Sequence, residues 1–239
     1  ILMWQLVVLP LIAGVLLAPV LTDHWYLFAV VALCTSSITA TTALAKIFNL
    51  NDALALSVCV LGTLLMPLPL FIILNVVSGL ESTIDLTVYA SRIVIFILVP
   101  FVLVWLLRRY AATTLVNPLM HHSPSIVLCL LMIFGLSVMD GVRAMIHNEP
   151  LHLLSLVALA FGISLVVQLI TYHSLRFLGG RDVRTACLLC AYRNMGLVAA
   201  IAGTALGDYF LIFVGIWQLP MYTLPLVLQR FYRPDSAGH

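Results

Sequence analysis

Charge is what this chain has least of. Only 8% of its 239 residues are Asp, Glu, Lys or Arg, against about 25% in a soluble domain. Hydrophobic residues make up 63%, and mean hydropathy is +1.17. A chain this apolar has too little polar surface to stay dispersed in water, so we expect an integral membrane protein. A net charge of +2 carries no argument for nucleic-acid binding, and no nucleic-acid partner is expected. The partners expected are membrane lipid and a small-molecule solute.

Catalytic and metal patterns are also missing. There is no His-x-x-Glu-His and no paired-aspartate motif, and His121-His122 lies in a polar connector. An enzyme is therefore not expected. The cysteines, Cys34, Cys59, Cys129, Cys187 and Cys190, all fall in apolar segments. They read as buried small hydrophobes, including the Cys187-Leu-Leu-Cys190 pair with its redox-motif spacing. No metal and no cofactor are expected, and sodium is left open. No signal-peptide pattern stands at the start; Ile1 runs straight into apolar sequence, and we expect the first spans to be missing.

What is there is hydrophobic sequence in lengths that suit a bilayer, which needs about 20 apolar residues per crossing helix. Eight such stretches are expected: 1–22, 26–47, 53–78, 85–107, 124–145, 151–174, 185–206 and 208–229. Alternating the connectors puts Lys46, Arg108, Arg109, Arg176, Arg181, Arg184, Arg230 and Arg233 on one side and Arg143 alone on the other. By the positive-inside rule the first side, with the C-terminus, is cytoplasmic. The location expected is a bacterial inner (plasma) membrane.

Two of these stretches are polar at their centres. In 26–47 the middle reads Cys34-Thr35-Ser36-Ser37-Ile38-Thr39-Ala40-Thr41-Thr42; in 185–206 it reads Tyr192-Arg193-Asn194. A charge at mid-membrane costs about 2.5–3.5 kcal/mol or more, and such residues face a protein interior or a cavity. None of the acids sits at that depth. Each polar-centred stretch is followed by one with paired prolines, Pro67 and Pro69, then Pro220 and Pro225. Interrupted segments in corresponding places, five spans apart, point to inverted repeats and a transporter's binding site.

Several motifs resemble the bile acid:sodium symporter family. Gln5 followed by Pro10 resembles the glutamine and proline of its third span. Cys34 opens a stretch that in the family reads Cys-Pro-Gly-Gly-x-x-Ser-Asn. Asp52-Ala-Leu-Ala-Leu-Ser57, followed by Thr63-Leu-Leu-Met-Pro67, resembles the fifth span. Asn194-Met-Gly196-Leu197 resembles the Gln-Asn-Ser-Gly-Leu motif of the ninth. The resemblance covers the whole chain as spans three to ten of a ten-span fold.

It implies an all-α, polytopic inverted-repeat transporter with two broken crossing helices. Residues 1–78 would be core helices of the first repeat. Residues 79–145 would be panel-type helices and an interfacial connector. Residues 146–239 would be core helices of the second repeat and a cytoplasmic tail. Departures from the family pattern speak against its two-sodium coupling. Its Pro-Gly-Gly is Thr35-Ser36-Ser37, which predicts a softer break. Its Ser-Asn sodium ligands fall on Ala40 and Thr41, its glutamate on Leu189, and its glutamine on Arg193.

The function expected is alternating-access transport of an organic anion or similar small solute. The site residues expected are Arg193, Asn194, Gln5, Thr39, Thr41 and Ser57. The alternatives are a non-transporting membrane sensor or scaffold on the same fold, or a membrane-embedded lipid-modifying enzyme.

Overall fold

The computed structural model describes residues 1–21, 23–77, 85–110 and 141–233, with isolated helical positions between 126 and 137. Among the described residues the chain is all helical, without a strand. A π-turn, Trp4–Val8, leads into α1 (Leu9–Leu17). Next come α2 (Asp23–Leu33), α3 (Ala40–Ile47), α4 (Asp52–Leu65) and α5 (Pro67–Val77). The helix α6 (Leu86–Ile93) passes through a second π-turn, Val94–Leu98, into α7 (Val99–Tyr110). The second half holds α8 (Pro150–Leu175), α9 (Gly180–Ala191), α10 (Met195–Leu206), α11 (Asp208–Ile216), α12 (Gln218–Val227) and the short α13 (Gln229–Tyr232).

Three continuous helices, Leu86–Tyr110, Pro150–Leu178 and Asp208–Val227, are long and apolar enough to cross a bilayer. The pair Asp52–Leu65 and Pro67–Asn75, bent by 46°, makes a fourth if taken as one span. Of the eight crossings expected, the described residues show three to four candidate spans. The stretches 26–47 and 185–206 are each split into two helices, and Trp4–Leu17 is shorter than a crossing needs. The stretch 124–145 lies largely outside the described residues, as does His121-His122.

The outer surface suits hydrocarbon. Helix α7 buries none of its residues, although it is almost wholly aliphatic and aromatic. Near its end Trp105 is exposed, with the Arg109 guanidinium 5.4 Å from its ring centre. That is where an interfacial belt would sit. Trp217, by contrast, is buried against Phe213 in the core. It stands at the junction of α11 and α12, where a large ring fills the space between packed helices.

The polar connectors act as joints. Asn49 takes a left-handed conformation (φ 55°) at the end of α3, and the Leu50 N–H reaches back to the Ala45 carbonyl at 2.8 Å. Asn51 then caps α4, its Oδ1 accepting from the Leu54 N–H at 3.0 Å. Its Nδ2 donates to Asp182 at 3.0 Å, and Arg181 donates to the Leu50 carbonyl at 2.9 Å. The end of the first broken pair is thereby fixed to the start of α9. Helix α10 carries the small-residue run Gly196–Gly203. At Gly203 an added Cβ would lie 3.2 Å from Leu211 Cδ2, so α11 approaches where no side chain intervenes.

Candidate functional site

Two helix breaks meet in the protein interior. Residues 34–39 separate α2 from α3, and 192–194 separate α9 from α10. A helix interrupted in a dry interior leaves backbone groups without partners, each a serious cost in hydrocarbon. The two breaks satisfy one another. The Ile38 N–H donates to the Tyr192 carbonyl at 3.0 Å, and the Asn194 N–H donates to the Ser36 carbonyl at 2.8 Å. Ser37 and Arg193 thus form an isolated antiparallel bridge. The break at Thr35-Ser36-Ser37 is complete rather than soft, because pairing with the other chain segment replaces what proline and glycine would impose.

The hydroxyls of the break secure it. Ser37 Oγ donates to the Leu189 carbonyl at 2.9 Å. Thr63 Oγ1 donates to the Cys59 carbonyl at 2.8 Å and lies 3.3 Å from Ser36 Oγ, so Ser36 is the donor of that pair. Helix α4 backs the break closely: an added Cβ on Gly62 would lie 3.4 Å from Ser36 Cβ.

Arg193 is 1% exposed at this crossover. Its Nη1 donates to the Thr35 carbonyl at 2.8 Å and reaches the Gln5 carbonyl at 3.4 Å. Gln5, fully buried on the first π-turn, turns its amide oxygen inward to accept from the Ser37 N–H at 2.9 Å and from Arg193 Nη1 at 3.2 Å. The opposite amide orientation would set an NH2 group against those same donors. Arg193 Nε and Nη2 are buried and, among the described residues, meet no acceptor. Asn194 caps α10, its Oδ1 accepting from the Leu197 N–H at 3.2 Å.

The structure therefore joins Arg193, Asn194 and Gln5, and it does not bring the other three expected site residues to them. Thr41 Oγ1 donates to the Ile38 carbonyl at 2.6 Å, so it is spent on its own turn rather than on Arg193. Thr39 is exposed, and its carbonyl accepts from Thr42 Oγ1 at 2.7 Å. Ser57 is exposed and bonds back to the Ala53 carbonyl at 2.8 Å. For Thr41 and Ser57, local back-bonding won. An opened backbone carbonyl, that of Thr35, is a partner of the kind the broken helix offers Arg193, whereas the roles of Ser37 and Thr63 were not singled out in the sequence. The run of small hydroxyl residues in place of a helix breaker is the signal for Ser37, and nothing local marks Thr63.

A second polar cluster flanks the crossover. Gln168, buried on α8, donates to the Ser164 carbonyl at 3.1 Å and accepts from the Tyr232 hydroxyl. Tyr232 is fully buried and stacks on Phe48 at 5.4 Å. Burial pushes its phenol well above the ordinary range, so it remains the donor. Trp4 Nε1 donates to Thr171 Oγ1 at 3.1 Å on the same helix. Elsewhere, a cleft of about 260 Å³ runs between α1 and α8, walled by Leu9, Ile12, Leu33, Gly162 and Val166 among other aliphatic side chains. It offers no hydrogen bond and suits a hydrocarbon chain rather than a polar solute.

No protein-family model matches the chain, and no curated protein matches it.

Proposed function

We propose that this chain belongs to a secondary transporter that carries an organic anion or similar small solute by alternating access, without two-sodium coupling. The observation that carries the reading is the crossover, where two interrupted helices pair antiparallel around a buried guanidinium. Interrupted helices crossing in the interior are how inverted-repeat transporters present half-helix ends to a solute. Arg193 and Leu189 stand where the resembling family holds a glutamine and a glutamate. A fixed positive charge there replaces the need for a bound cation and disfavours one by repulsion.

The test is flux through the purified protein in proteoliposomes, measured for a panel of organic anions with and without sodium and with and without a pH gradient. Saturable uptake independent of sodium is expected. An absolute sodium requirement would sink the uncoupled reading, as would unchanged uptake and ion dependence in Arg193→Ala. Absence of flux for every solute would favour the second reading, a sensor or scaffold. What supports that alternative is the same crossover taken as a lock, with Arg193 Nη1 tied to the Thr35 and Gln5 carbonyls.

A further inference from the structure

We propose that the Nε/Nη2 edge of Arg193 is the binding site for one carboxylate of the solute, and that its occupancy restricts the carrier to exchange. The proposal rests on the transport reading above. Arginine offers five N–H donors in a planar fork and cannot shed its charge. Nη1 is already committed to the Thr35 and Gln5 oxygens. The two unpaired nitrogens are not a random remainder. Nε–H and one Nη2–H point in parallel from the same edge of the guanidinium, on the side away from Cδ. That edge matches the two oxygens of a carboxylate and holds it bidentately. A lone carbonyl or a hydroxyl would fill only one of the two donors.

The surroundings argue for a ligand that brings charge as well as acceptors. The side chain is 1% exposed, and among the described residues no carboxylate pairs with it. A buried cation with two unmet donors and no counter-charge disfavours the closed arrangement. A bound carboxylate neutralises it and fills both donors. The loaded carrier then passes through the occluded state readily and the empty carrier slowly. One solute leaves only as another enters, which is exchange rather than net flow.

The test uses the full chain in detergent and in proteoliposomes. The probes are short mono- and dicarboxylates, including benzoate and succinate, each compared with its amide. The carboxylates should raise the thermal midpoint and the amides should not. External carboxylate should speed efflux of the labelled internal one by about tenfold or more. Arg193→Lys keeps the charge and removes the fork, and should reduce both effects by about tenfold or more. Should that variant fold poorly, Gln5→Glu provides a second arm. It supplies a carboxylate of the protein's own beside Nη1 and should weaken stabilisation by added carboxylate.

Equal behaviour of Arg193→Lys and the wild type overturns the site, as does amide binding as strong as carboxylate binding. Undiminished carboxylate binding in Gln5→Glu has the same force. Net efflux into carboxylate-free buffer as fast as exchange overturns the restriction. Flux of a neutral or cationic solute alone leaves the transport reading standing and sinks this one. Carboxylate-dependent stabilisation with no flux of any solute does the reverse for the site and the transport reading.

Discussion

At the residue scale the crossover depends on a small number of acceptors for a large number of donors. Gln5 is the clearest case, since one amide oxygen serves both the Ser37 N–H and Arg193 Nη1. Gln5→Leu keeps the volume and deletes that oxygen, which leaves buried donors unmatched. A loss of about 1–3 kcal/mol is expected, read as a lower thermal midpoint in detergent. Ser57→Ala makes the contrasting case, because its hydroxyl only bonds back to Ala53 on an exposed face. It should change stability by no more than about 0.5 kcal/mol and leave uptake intact; a large uptake defect would return Ser57 to the site. The pair also marks what was legible. Arg193, Asn194 and Gln5 are polar groups in otherwise apolar runs, and burial forces such groups together. A hydroxyl can satisfy itself one turn back along its own helix, so Thr41 and Ser57 carried no comparable compulsion.

At the element scale, the helix breaks depend on caps and on each other. Asn194 both donates its backbone N–H to Ser36 and caps α10 with its side chain. Asn194→Ala removes only the cap and should cost about 1 kcal/mol, whereas Asn194→Asp should retain the capping bond. Unfolding midpoints of the two variants check this, and equal losses would show that the side chain serves some other contact. Packing supplies a second prediction. At Gly203, where Leu211 leaves only 3.2 Å for a Cβ, Gly203→Val should destabilise by about 1–3 kcal/mol through overpacking, visible in the same melts. The sequence located both breaks within a few residues but understated the first. Thr35-Ser36-Ser37 lacks the residues that enforce a break locally. Its cause is pairing with a segment some 150 positions away, as in the Ser37–Leu189 bond, and local composition does not report a partner at that distance.

At the scale of the whole molecule, hydropathy does not resolve interruptions within an apolar stretch. It registers 26–47 as one apolar stretch, whereas the chain there is two short helices with an extended link. The same averaging hides the turn between α9 and α10. An apolar interior around a polar crossover is common to a moving carrier and a rigid scaffold, so the distinction between them lies in access. Cys34 precedes Thr35 and Cys190 lies three residues before Arg193; both are fully buried. They are native reporters on either broken helix. In versions that keep one of these two and replace the other cysteines with alanine, a membrane-impermeant maleimide should label the site from one side of the bilayer. Changing the solute on either side should change the labelling rate. Alternating access requires that opening, because a solute cannot reach Arg193 while both thiols stay sealed. A scaffold predicts that neither thiol reacts until the protein is unfolded by heat or detergent. Labelling that begins only at the unfolding midpoint would therefore exclude a carrier and leave the crossover as a lock.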